Sequence, residues 1–98
     1  MFSWDTAKAV RNSAKHGVTF EEAAGIFADP EALDWSDAGH SQSEPRSKRL
    51  GRSLSGRFLL VVYTIRRTRD GKETVRIIII SARQASRKER AAYAGQPD

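Results

Sequence analysis

Two apolar runs, FLLVVYTI (58–65) and TVRIIIIS (74–81), constrain the fold more than any other feature of the chain. Both are nearly continuous in apolar residues and rich in β-branched side chains, which predicts two strands at the centre of a sheet. The link between them, RRTRDGK, is short and carries a glycine, as an antiparallel hairpin requires. A third run, SKRLGRS (47–53), alternates weakly and reaches the first through LSG, so it predicts a neighbouring strand. Leu33 and Trp35 alternate with polar residues and have the pattern of a short edge strand.

Helices flank these strands. In DTAKAVRNSAKH (5–16), Asp5 is placed to cap the N-terminus, Ala7, Val10 and Ala14 form a thin apolar stripe, and Gly17 offers a left-handed stop. Thr19 with Glu22 has the spacing of a capping box, and Val18 with Ala23 that of a hydrophobic staple. Phe20, Ala23, Ala24 and Phe27 then share one face until Asp29-Pro30 ends the helix. Ser86 and Glu89 open a third helix running to Gly95, too short to persist alone and expected to dock through Ala92 and Tyr93. The expected order is a short opening strand, two helices, three or four antiparallel strands and a final helix, an α+β fold with helices on one face of a three- to four-stranded, mostly antiparallel sheet.

The chain of 98 residues suits a single domain, 1–98, with a loop over about 36–45 and a tail at 95–98. It has no cysteine, which excludes disulfides and thiolate metal sites and fits a reducing cytoplasm. No charged start precedes an apolar run, and no apolar run approaches the roughly 20 residues that span a bilayer. A small, soluble, cytoplasmic domain with no membrane partner is expected.

Charge is divided along the chain. Residues 1–45 hold three Lys or Arg against eight Asp or Glu, whereas residues 46–90 hold fourteen against three. Such a basic half predicts a polyanionic partner, most simply nucleic acid. Its end is abrupt: IISARQASRKERAAY (79–93) passes from isoleucines to Arg83, Arg87, Lys88 and Arg90, with Glu89 the one offset.

Three stretches, FSWDTAKAVRNSAKHGVTFEEA, VVYTIR and IISARQASRKERAAY, resemble the BrnT family of bacterial toxins, in the same order and from Phe2 to Tyr93. Trp4-Asp5, Lys8, Asn12, Lys15-His16-Gly17, Phe20-Glu21-Glu22-Ala23, Ser81-Ala82-Arg83, Arg87, Glu89 and Tyr93 carry the resemblance. It implies a RelE-like fold and an endoribonuclease that inhibits translation. It also implies a cognate BrnA-like antitoxin, which binds DNA and brings a hetero-oligomeric complex to the operator. Two departures stand out. The link from Arg66 to Thr74 is longer than is typical of the family, and Ile78 stands where the family carries an arginine. Arg76 is the cation available on the same side of that strand, one pleat further away.

Metal-independent RNA cleavage uses the 2′-hydroxyl as nucleophile. The protein removes its proton, stabilises the charge gathering on phosphorus and protonates the leaving oxygen. A basic pocket with one titratable group suffices, so no cofactor is expected, and no His/Cys or carboxylate spacing marks a metal site. The expected catalytic set is His16, Arg46, Arg66 and Arg83. Lys8, Lys15, Arg49, Tyr63, Arg76, Arg87 and Arg90 are expected to bind RNA. His16 is the candidate acid or base because an imidazole exchanges protons near neutral pH, although a histidine also suits a helix C-terminus. Arg83 sits where a strand leaves the sheet, and Arg87 lies in the first turn of a helix that would welcome phosphate. Asn12 joins Lys8 and Lys15 on a polar helix face. Tyr63 can stack on a base or simply pack, whereas Trp4 and Trp35 suit core or interface positions. His40, in the loop, reads as solvated. The rival reading is a non-catalytic basic module that grips nucleic acid or an acidic partner without cutting.

Overall fold

The computed structural model describes residues 1–37, 44–69 and 73–95. In chain order it contains strand β1 (Phe2–Ser3), helix α1 (Thr6–His16) and a short helix α2 (Phe20–Ala24) that tightens into a 3-10 turn (Gly25–Ala28). Strands β2 (Leu33–Ser36), β3 (Ser47–Arg52), β4 (Phe58–Arg69) and β5 (Glu73–Gln84) follow, then helix α3 (Arg87–Ala94). His40 and most of the expected loop lie outside the described residues. No helix among those described is long and apolar enough to cross a membrane.

The sheet has five strands, not three or four, in the order β1-β5-β4-β3-β2. Leu33 and Trp35 do lie in an edge strand. The additional member is β1, the short opening strand expected ahead of the helices, whose two residues are too few to show which strand it would join. It runs parallel to β5, with Phe2 and Ser3 opposite Ile77 and Ile78, and Ile77 N–H donates to the Met1 carbonyl. The other pairings are antiparallel. The two long strands also outrun their apolar cores. β3 pairs with β4 only as far as Tyr63, and β1 with β5 only at Ile77 and Ile78, so from Arg66 and Arg76 onward β4 and β5 continue as a two-stranded ribbon. A ribbon open to water accommodates arginines that a covered strand would not, which is why residues expected in the hairpin link are strand.

Alternation assigns the two faces. Leu59, Val61, Ile79 and Ala82 turn toward α1 and α2 and pack with Val18, Phe20, Ala23 and Ile26 into the main core. Their strand neighbours Leu60 and Arg83 pair with each other and point the other way. α3 attaches to that second face, since Glu89 holds Arg83 and the Tyr93 ring packs edge-on against Phe58 at 5.1 Å. The helices are thus divided between the faces rather than gathered on one. Tyr93 does dock, while Ala92 remains exposed.

The caps form largely as the sequence predicts. Asp5 accepts from Lys8 N–H, Gly17 turns left-handed at φ 67°, and Ser86 and Glu89 make a complete capping box. At Thr19 only half of the box forms, because the Glu22 carboxylate is drawn away to Arg57, Ser53 and Ser55. The helix after Thr19 leaves the α form at Gly25 instead of continuing to Pro30.

The orientation of α1 is the largest correction. Ala7, Val10 and Ala14, the expected apolar stripe, are exposed, with Val10 at 65%. The face turned inward is Ala9, Asn12, Ser13 and His16. Asn12 decides the matter. Its amide donates to the carbonyls of Ala82 (2.7 Å) and Val18 (3.0 Å), and its carbonyl accepts from Ala82 N–H (3.1 Å). The side chain thereby completes the free edge of β5 as another strand would. These directional bonds outweigh the small gain from burying one valine and two alanines.

Candidate functional site

A groove of about 320 Å³ separates α1 from the edge of β5, lined by Lys8, Arg11, Asn12, Lys15, His16, Ile80 and Ser81. Helical spacing brings residues 8, 11, 12, 15 and 16 to one flank of α1. A β-bulge supplies the opposite wall. Tyr63 pairs with Ile79 and Val62 with Ser81, which leaves Ile80 as an additional residue at the edge. The lining holds three cations and one imidazole, and no carboxylate. The side chains of Lys8, Arg11, Lys15 and His16 have no hydrogen-bond or ion-pair partner among the described residues. Their charges are therefore available to an anion, and backbone and Asn12 hold the frame around them.

The expected arginines are placed differently. Arg83 makes a bidentate pair with Glu89, both bonds 2.8 Å, and also donates to the Gln84 carbonyl. Arg83 hydrogen bonding, helped by the Ser86 N–H, holds the Glu89 carboxyl down at about 2. Because Glu89 also completes the cap of α3, the guanidinium is fixed to a helix end rather than swinging free. Arg83 nevertheless remains next to the groove. It and Ser81 stand on the same side of β5, two residues and roughly 6.6 Å apart along the strand.

Arg46, Arg66 and Arg76 share that side of the sheet by alternation, with Lys48, but they lie further from α1. Arg66 is engaged by Glu44, at 2.7 Å. Arg76 and Ile78 face the same way, as the spacing implied. Among the described residues, groups of His, Cys, Asp and Glu able to hold a metal ion are absent.

Arg49 and Tyr63 belong to the helix-covered face and are withdrawn from the groove. Tyr63 donates to Asp34 at 2.8 Å, Arg49 pairs with the same carboxylate at 2.7 Å, and Phe27 packs against both. Burial, followed by the bond to Asp34, pushes the Tyr63 hydroxyl up to about 12. This is a folding contact between the 3-10 turn and the sheet. Arg87 and Arg90 lie exposed on α3, and neither lines the groove beside α1. The structure thus gathers His16, Lys8 and Lys15, sets Arg83 beside them, and leaves the other expected residues elsewhere.

Sequence reasoning passed over Arg11, Ile80 and Arg57. Arg11 follows Lys8 by three and shares its helix face, a signal that was present. The bulge at Ile80 has no signature within IIII. Arg57 is bonded to Glu22 and donates to the Gly17 carbonyl at 3.0 Å, tying the β3–β4 turn to the end of α1. It holds the C-terminal end of the groove wall in place from behind.

A search of curated proteins finds no match. Among solved structures, the chain is similar to the crystal structure of the Brucella abortus ribonuclease toxin BrnT. The TM-score is 0.59 at 21% sequence identity, covering 89% of this chain and 99% of that one. At such identity the likeness speaks for the fold alone. The family comparison carries further, because the model described as "Ribonuclease toxin, BrnT, of type II toxin-antitoxin system" matches residues 4–89. That span contains α1, the whole sheet from β2 to β5 and the cap of α3, and on it the chain belongs to the BrnT family of ribonuclease toxins.

Proposed function

We propose that the groove between α1 and β5 is where this toxin cleaves RNA, without a metal ion. The observation that carries the reading is the convergence of Lys8, Arg11 and Lys15 with His16 on a concavity whose lining has no acid. Three unneutralised cations favour a phosphodiester and oppose a divalent ion, which needs oxygen donors. His16 is the group able to take the 2′-hydroxyl proton and to return one to the departing 5′-oxygen. Lys8, Arg11 and Lys15 stabilise the charge that develops on the phosphorane. Arg83, held rigid by Glu89, contacts an adjacent phosphate with its remaining N–H groups. Arg46, Arg66 and Arg76 guide the strand across the face that carries α3, at the end away from that helix.

Type II membership implies a protein antitoxin and an RNA target. The finer reading is that RNA loss halts translation in the cytoplasm, and that a BrnA-like antitoxin neutralises the enzyme and connects it to operator DNA. The arrangement of a five-stranded sheet with helices supports the RelE-like class.

The test uses purified protein, RNA and EDTA. Wild-type cleavage is expected to survive chelation, and His16→Ala to lower it by about 10²- to 10⁴-fold with an unchanged unfolding midpoint. Full activity in a folded His16→Ala protein overturns the site. RNA that is retarded yet intact identifies a binding module instead.

A further inference from the structure

Among the described residues, Trp35 is the one tryptophan, tyrosine or phenylalanine without a ring contact. The four phenylalanines, both tyrosines and Trp4 each pack against another ring. Trp35 does not, and it is 42% exposed. Its direction follows from its neighbour, since Asp34 turns toward Arg49 and Tyr63 on the helix-covered face. Trp35 must therefore point to the other face, the one that carries α3, beyond the part that α3 covers. The register then sets it at the head of a row crossing four strands: Trp35 opposite Lys48, Lys48 opposite Val62, and Val62 opposite Ser81. Ser81 lines the groove. Three strand spacings of about 4.8 Å separate the two ends, or roughly 14 Å.

We propose that Trp35 is a base-stacking subsite for single-stranded RNA whose scissile bond lies in the α1–β5 groove, a proposal that rests on the reading of that groove as the cleavage site. A solvent-facing indole beside a lysine is the combination that single-stranded nucleic acid uses, a π-face for the base and a cation for its phosphate. The occupant is matched by charge: Arg46, Lys48, Arg66, Arg76 and Arg83 share this face. Glu44 pairs Arg66 and attracts Arg46, Glu89 pairs Arg83, and Asp37 falls on the same side by alternation, so among the described residues the cations that remain for a phosphate are Lys48, next to the indole, and Arg76. A span of ~14 Å corresponds to about four nucleotides stacked at ~3.4 Å each, and fewer when the strand is extended. A duplex cannot offer an unstacked base to the indole, so the subsite selects single strands.

The experiment compares the wild-type chain with Trp35→Ala and Trp35→Phe on oligoribonucleotides of two lengths sharing one cleavage point. The longer reaches four nucleotides beyond it and the shorter stops next to it. Trp35→Ala is expected to raise KM for the longer strand roughly 5- to 150-fold and leave kcat unchanged. Trp35→Phe should restore most of the affinity, and all three proteins should cleave the shorter strand alike. Equal KM values on the longer strand overturn the proposal. So does a parallel loss on the shorter strand, which marks a folding role, or a loss confined to binding of the antitoxin, which assigns the face to a protein. An active His16→Ala protein that still shows the length-dependent Trp35 effect would instead refute the groove and spare the subsite.

Discussion

Replacing Asn12 by alanine removes the joint between α1 and β5. Asn12 is 8% exposed and makes three hydrogen bonds, two to Ala82 and one to the Val18 carbonyl. At about 1 kcal/mol net for each bond, the loss is about 3 kcal/mol, and more if the freed backbone groups stay dry. That is a large part of the 5–15 kcal/mol expected for a domain of this kind. For a chain of this size it corresponds to a melting temperature lower by roughly 12–24 °C. Urea titration read by circular dichroism gives the free energy, and a thermal scan gives the midpoint. Asn12→Asp sharpens the test. It retains an acceptor for Ala82 N–H but turns an oxygen toward two carbonyls, so it should be at least as unstable as the alanine variant at neutral pH. Acid should relieve it as its carboxyl protonates. A loss below about 1 kcal/mol for Asn12→Ala would refute the argument that this amide, rather than an apolar stripe, sets the phase of α1.

Two further outcomes follow from contacts already described. Arg57 holds the Glu22 carboxyl at about 2, below its ordinary 4.5. A carboxyl with a depressed folded value contributes stability above its unfolded value and loses it as pH falls through the folded one. The urea midpoint should therefore decline between pH 4.5 and 2, and Glu22→Gln should flatten that decline; an unchanged slope would remove Glu22 from the account. Gly51→Ala would place a methyl group 3.1 Å from Ile26 Cβ and 3.3 Å from Ala32 Cβ. Both are packed positions, so a loss of about 1–3 kcal/mol is expected by urea denaturation, and a neutral result would mean that the 3-10 turn can retreat.

What could be read from the sequence was what local chemistry decides. The β-branched runs marked the sheet centre because two covered faces demand apolar residues without interruption. Asp5, Gly17 and the Ser86–Glu89 pair marked helix ends because their partners lie within a few residues. The phase of α1 was hidden because the partner of Asn12 is Ala82, seventy positions away, and an asparagine in a helix normally reads as solvent-facing. A short opening strand was expected and β1 is there, but its parallel pairing with β5 was not legible, because two residues carry no register. At the site, the resemblance drew attention to His16, Lys8 and Lys15, and the structure gathers these with Arg11. Arg49 and Tyr63 could not be distinguished from surface residues, since their alternation in strands depends on which face the helices choose. Trp35 shows the opposite case: of the core and interface positions expected for it, the core is ruled out, because its strand is the last of the sheet.

Ile80 is dispensable to the hydrogen-bonded ladder. With that one residue omitted, Ile79 and Ser81 would fall opposite Tyr63 and Val62 in unbroken succession, and every later side chain of β5 would keep its side. The sheet would be more regular and the pocket beside it would lose a wall. On the proposed reading of the groove, architecture and activity thus make opposite demands on a single codon: a chain shortened by this residue would keep its ladder and lose its cleavage site.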